Sequence, residues 1–145
     1  MSLEAAIQHV RNRFAHNGQF SLRPKESIND VVRREKIPNL PGIYICFRCD
    51  DLERPLYMGK SGTMRTDGTF KDAGLGKRLT RKQGKTYRRK YFCKLMEDRG
   101  LSGLTFFWFV THDQGSRIIP GLAEMELLQA HYDQYGCLPE LNKCV

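Results

Sequence analysis

The sequence predicts a small mixed α/β (α+β) domain, and three observations carry that reading. Apolar residues recur at helical spacing near both ends of the chain and around residues 87–99. Two runs rich in β-branched and aromatic residues flank a polar stretch at 50–53, the form of a hairpin. Residues 104–111, Leu-Thr-Phe-Phe-Trp-Phe-Val-Thr, are the strongest strand signal in the chain. Three strands with helices between them predict a sheet whose apolar strands are covered on both faces.

Residues 2–16 read as a helix, with Leu3, Ile7, Val10 and Phe14 as its apolar stripe, Ser2 as cap and Asn17-Gly18 as stop. Residues 17–26 contain Gly18 and Pro24 and read as a loop. Ser27-Ile-Asn-Asp30 has the form of a capping box opening a short helix to about Lys36, which Pro38 and Pro41 end. Residues 1–39 therefore read as an N-terminal helical extension and 40–145 as the main domain. In the main domain, 42–48 and 56–59 form the hairpin, and 61–76, with four glycines, reads as a long loop. Helices follow at 77–82 and 87–99, the latter with Tyr91, Phe92, Leu95 and Met96 inward. After the third strand, Pro120 opens a last helix and Gly136 stops it.

Composition excludes some classes. No apolar run in the 145 residues approaches the roughly 20 that a membrane span needs. Met1-Ser2-Leu3-Glu4 lacks a basic region followed by an apolar run, so no secretory leader is expected. Five cysteines, an odd number in a chain of this length, read as reduced thiols, so an intracellular, cytoplasmic protein with no membrane partner is expected. The net charge is +8, and between Ala73 and Met96 nine Lys or Arg stand with no Asp or Glu. The rest of the chain holds fifteen basic and sixteen acidic residues, so the whole excess sits in that segment. Such a concentration points to a polyanion, nucleic acid first, with Lys77, Arg81, Lys82, Lys85, Arg88 and Arg89 as candidate phosphate contacts. The plain alternative is a solvated helix face.

Two tyrosines, Tyr44 and Tyr57, lie in the hairpin. They share a sheet face only if paired residue numbers add to an odd value, as a two-residue turn at 50–51 or a four-residue turn at 50–53 gives. Gly59 leaves room for a backbone or phosphate to approach, and Lys60 follows it. Gly42-Ile43-Tyr44, then Tyr57-Met58-Gly59, then Lys60, Arg78, Glu124 and Asn142, in that order, resemble the GIY-YIG nuclease domain over roughly residues 40–142. The first triplet matches letter for letter; the second has Met58 in place of an isoleucine. The segments 123–129 and 138–142 are similar to how such domains end. The twelve-residue spacer between the triplets and the loop before Arg78 are longer than usual. Glu124 and Glu126 compete for one role; Leu127 and Leu128 follow Glu124 at the family's spacing, Gln129 and Ala130 follow Glu126, and Glu124 is preferred.

The resemblance implies a small three-stranded antiparallel sheet flanked by helices and a metal-dependent endonuclease hydrolysing phosphodiesters in DNA, RNA being left open. It implies one Mg²⁺ (or Mn²⁺) at Glu124, with Lewis-acid and leaving-group chemistry. Arg78 would clamp two phosphate oxygens. Tyr44 is the favoured general base and Tyr57 the residue orienting water or phosphate, with exchange of these roles open. Ionising an ordinary phenol at pH 7 costs about 4 kcal/mol, and a neighbouring cation, here Lys60, lowers such a pKa by roughly 1–3. Asn142 would hold the metal shell or the backbone. The alternative is a catalytically silent nucleic-acid-binding module of the same fold.

Other motifs read more plainly. Cys46-x-x-Cys49 has zinc-knuckle spacing, but no second pair accompanies it. His112 and His131 read as satisfied structural histidines, Trp108 as core, and 74–78 lacks the first glycine and trailing hydroxyl of a P-loop.

Overall fold

The structure, a computed structural model, describes residues 1–83 and 85–144. In chain order the elements are α1 (Leu3–Arg13), β1 (Asn17–Leu22), α2 (Ile28–Arg34), β2 (Gly42–Arg48), β3 (Tyr57–Ser61), β4 (Thr63–Met64), β5 (Phe70–Lys71), α3 (Leu75–Thr80), β6 (Lys82–Gln83), β7 (Thr86–Tyr87), α4 (Arg88–Arg99), β8 (Leu104–Val110) and α5 (Pro120–Tyr135). The architecture is mixed α+β. Its main sheet is antiparallel, in the order β1-β8-β2-β3.

The sheet has four strands where the sequence predicts three. The extra one is β1, in the segment read as a loop, paired with β8 from Asn17↔Phe109 to Leu22↔Leu104. Thus residues 1–39 supply a sheet strand as well as two helices. The predicted long loop at 61–76 also carries structure, a small ladder of β4 with β5 and the start of α3.

β8 is central and every one of its residues is buried, which is why its sequence is apolar on both sides of the pleat. One face, with Tyr44, Cys46, Phe106 and Trp108, packs against α2, α3 and α4. The other, with Ile43, Ile45, Met58 and Phe109, packs against α1 and α5. Ser2 caps α1 by accepting from the Ala5 N–H at 3.1 Å. Ser27 makes no side-chain cap on α2, so the predicted capping box is not formed. Pro120 stands in the first turn of α5, and Gly136 ends it in the left-handed conformation at φ 73°. Among the described residues no helix is long and apolar enough to cross a membrane. All five cysteines are free.

β3 is an edge strand. The C-terminal tail covers it: the Leu141 N–H donates to the Leu56 carbonyl at 3.0 Å, and Asn142 binds Met58 through its amide.

Candidate functional site

The hairpin register decides where the two tyrosines point. Tyr44 pairs with Gly59 and Cys46 with Tyr57, which are odd sums. Paired residues share a face, so both phenols lie on the α3/α4 side of the sheet, their ring centroids 5.7 Å apart. A Cβ on Gly59 would stand 2.6 Å from Cζ and 2.7 Å from the hydroxyl of Tyr44. The space that Gly59 leaves is therefore taken by the Tyr44 ring, not held open for a ligand. Lys60 pairs with Ile43 and so faces the opposite side of the sheet, toward α5.

Arg78 arrives on α3, whose position depends on polar anchors the sequence reading did not single out. Ser61 Oγ donates to the Asp72 carbonyl at 3.1 Å and accepts the Gly74 N–H at 2.7 Å, tying the end of the 62–73 loop to β3. Asn39 Oδ1 accepts the Lys77 N–H at 3.0 Å, and the Leu75 N–H donates to the Leu40 carbonyl at 3.2 Å. These satisfy N–H groups that a short helix otherwise leaves open. The only hint in the sequence is that a serine and an asparagine sit among strand residues and prolines.

Glu124 lies one turn into α5, half-buried. Burial pushes its carboxyl above the usual carboxylate range, and Lys60 and then Arg78 pull it back. It makes no ion pair among the described residues. Glu126 is turned away, exposed and bridged to Arg13 of α1 at 3.4 Å. The two glutamates thus differ in surroundings as their spacing suggests.

Burial raises the Tyr44 pKa strongly, the Tyr57 phenol raises it further, and Arg88 and Arg78 oppose the rise without cancelling it. The Tyr44 hydroxyl is buried with no hydrogen-bond partner, since the two hydroxyls stop short of hydrogen-bond geometry. At neutral pH Tyr44 is protonated. Its cationic neighbours are Arg78 and Arg88 rather than Lys60, which corrects the expected pairing. Tyr57 is only half-buried and is the phenol that reaches solvent. Arg78 lowers the pKa of both Tyr44 and Glu124, although Tyr44 lies on the α3/α4 face of the sheet and α5 packs on the other.

The basic segment divides by burial. Lys77, Arg81, Lys82, Lys85 and Arg89 are exposed on α3, the β6–β7 ladder and α4. Arg81 is held by Asp72 at 2.9 Å, and Lys82 Nζ lies 5.3 Å from the centre of the Tyr87 ring, itself 55% exposed. Arg88 differs from the expectation of a surface phosphate contact: it is 1% exposed. Its Nη1 donates to the Arg78 carbonyl at 2.7 Å and to the Lys82 carbonyl at 3.0 Å. A charged residue at the start of a basic run carries no signal of burial in the sequence alone.

Among the described residues no three His, Cys, Asp or Glu side chains gather as a metal cage. Cys46 is core. His131 is buried with Nδ1 at 2.7 Å from the Cys137 carbonyl, and His112 stands edge-on to Phe70. No family model, no curated protein and no solved structure matches the chain.

Proposed function

We propose that the protein is a divalent-metal-dependent endonuclease hydrolysing phosphodiester bonds in DNA, by chemistry of the GIY-YIG kind. The observation that carries the reading is the hairpin register, which sets Tyr44 and Tyr57 on one face with ring centroids 5.7 Å apart; the lowering effect of Arg78 on both Tyr44 and Glu124 agrees with it. A run of exposed cations with an exposed tyrosine among them supports a nucleic-acid partner, since phosphates and base faces ask for those two side-chain types.

Glu124 suits a metal that keeps most of its water. It offers hard oxygens, has no ion-pair partner among the described residues, and belongs to no cluster of three or more His, Cys, Asp or Glu there. One carboxylate with the rest of the shell as water and substrate oxygens is the habit of Mg²⁺. Bound there, the metal supplies Lewis-acid stabilisation of the phosphate and of the leaving oxygen.

The chain's own groups carry the remaining work. Tyr57, the phenol that reaches solvent, first releases its own proton to solvent and then, as the phenolate, takes a proton from the attacking water as the water oxygen bonds to phosphorus. The phosphorus–oxygen bond to the leaving nucleotide then breaks, and the departing oxygen takes a proton from solvent. Arg78 holds the negative charge that gathers on the phosphate oxygens, and Lys60, on the opposite side of the sheet, acts on the Glu124 carboxylate. Tyr44 stays protonated and packs beneath, and Asn142 fixes the Met58 backbone next to Tyr57.

A second reading has one observation in its favour. The buried, protonated Tyr44 would serve equally in a module that binds nucleic acid and does not cut it. Incubation of plasmid and branched DNA with Mg²⁺ or Mn²⁺ separates the two. The nuclease reading expects cutting by wild type and none by Glu124→Ala. Equal cutting by the variant overturns the assignment of Glu124, and salt-sensitive binding without any cutting selects the second reading.

A further inference from the structure

Arg88 is the largest of the fully buried side chains, and its position is costly three times over. Taking a guanidinium out of water carries a penalty of several kcal/mol. The residue opens α4, where the helix dipole is already positive. No carboxylate pairs with it among the described residues, and its Nε has no hydrogen-bond partner. What it does bind is the end of α3 and the turn after it: the Arg78 and Lys82 carbonyls accept from Nη1, and its own backbone N–H donates to the Arg81 carbonyl at 2.9 Å.

A cation on the last carbonyls of a helix is a favourable cap. Capping alone does not require burial, because a surface lysine could reach the same carbonyls. Burial instead fixes the guanidinium between the end of α3 and the first turn of α4. One turn along α4, Phe92 packs edge-on to Phe106 at 5.2 Å, and Phe106 lies 6.5 Å from the Tyr44 ring. Arg78, whose carbonyl Arg88 grips, also has a buried Nε without a partner.

We propose that Arg88 is a positioning residue for the cleavage site: it holds Arg78 in place through the Arg78 carbonyl. The inference rests on the endonuclease reading for its catalytic consequence, but not for its geometry. Tyr57 of β3 stands beside Tyr44, their ring centroids 5.7 Å apart. The opposition of both arginines to the burial effect on Tyr44 agrees with this arrangement.

The test uses Arg88→Lys, which keeps the charge and loses the planar fork, and Arg88→Met, which keeps the stem and loses the charge. With Mg²⁺ and cleavable DNA, Arg88→Met is expected to lower kcat about 100-fold with KM changed less than threefold. Arg88→Lys should recover part of the loss. The double variant Arg88→Met/Arg78→Lys should be little worse than the poorer single one, because the two act as a unit. A kcat within threefold of wild type, or an additive double variant, overturns the proposal.

An activity-free measurement separates this from failure of the nuclease reading. In protein labelled with ¹⁵N-arginine and ¹³Cζ-tyrosine, the Arg78 Nε–H should be a slowly exchanging signal in wild type, and fast or lost in Arg88→Lys. The Tyr44 Cζ signal should move as well. Unchanged Arg78 and Tyr44 signals overturn the proposal even if the enzyme cuts. Should both variants fail to fold, the wild-type spectrum decides: fast solvent exchange of the Arg88 guanidinium protons overturns it, and slow exchange supports it.

Discussion

Asn142 grips both backbone groups of Met58: the Met58 N–H donates to Oδ1 at 2.9 Å, and Nδ2 donates to the Met58 carbonyl at 2.8 Å. The amide of one side chain thus takes the place of a neighbouring strand at the open edge of β3. At about 1 kcal/mol per hydrogen bond, Asn142→Ala should cost about 2 kcal/mol in urea unfolding. Asn142→Asp, which keeps only the acceptor, should lose comparably. An unchanged midpoint in both would mean that the tail is not anchored there.

Glu124→Gln should change stability and activity in opposite directions. A carboxyl whose folded pKa is raised holds its proton longer in the folded state than in the unfolded one. Its contribution is therefore neutral below the ordinary glutamate pKa and turns unfavourable as pH rises through the folded value. The variant should melt above wild type at pH 7, and the gain should vanish below about pH 4, near the ordinary glutamate value. Metal-dependent cutting should fall by about 100-fold or more. Glu126→Gln, which loses only an exposed pair with Arg13, should cut normally and melt within about 0.5 kcal/mol of wild type. Reversed roles for the two variants would move the metal site.

Tyr44→Phe and Tyr57→Phe should also part company. The Tyr44 hydroxyl is buried and unpaired, so its removal should leave stability unchanged or raise it by up to about 1 kcal/mol. Tyr57→Phe should leave stability alone and abolish cutting. Thermal melts beside single-turnover cleavage read both. A clear loss of stability in Tyr44→Phe would mean that the hydroxyl has a bound partner, such as a water.

DNA binding should weaken steeply with salt. If about four exposed cations touch phosphates, log K falls with log salt at a slope near −3.6. Replacing Lys85 and Arg89 together by Gln should reduce the slope by about 1.8 if both contact phosphates. Equal slopes in variant and wild type would direct attention to another surface.

Legibility followed burial and periodicity. β2 and β8 were readable because their residues are apolar on both sides of the pleat, and the phenols' shared face follows from register parity. Tyr-Met-Gly marked β3 through its aromatic and its glycine. β1 was not legible: Asn-Gly-Gln-Phe-Ser-Leu offers only Phe20 and Leu22 as inward residues, and its conformation comes from pairing with β8. That Glu124 and Glu126 stand on different faces of α5 was available from their two-residue separation on a helix. The burial of Arg88 and the filling of the Gly59 space by Tyr44 were not, because each depends on contacts between distant segments, whereas the facing of Lys60 away from Tyr57 follows from strand alternation over three residues.

The pairing of β1 along β8 has a consequence for how the molecule can be handled. A fragment beginning at Leu40 would strip the outer row of amides and carbonyls from β8, and α1 would no longer shield Phe107 and Phe109 on one side of it. A bare, flat, aromatic border of that kind recruits its own kind and polymerises. The opening stretch of the polypeptide thus works as a guard rail against fibre growth, and shortened versions should be sought by trimming elsewhere.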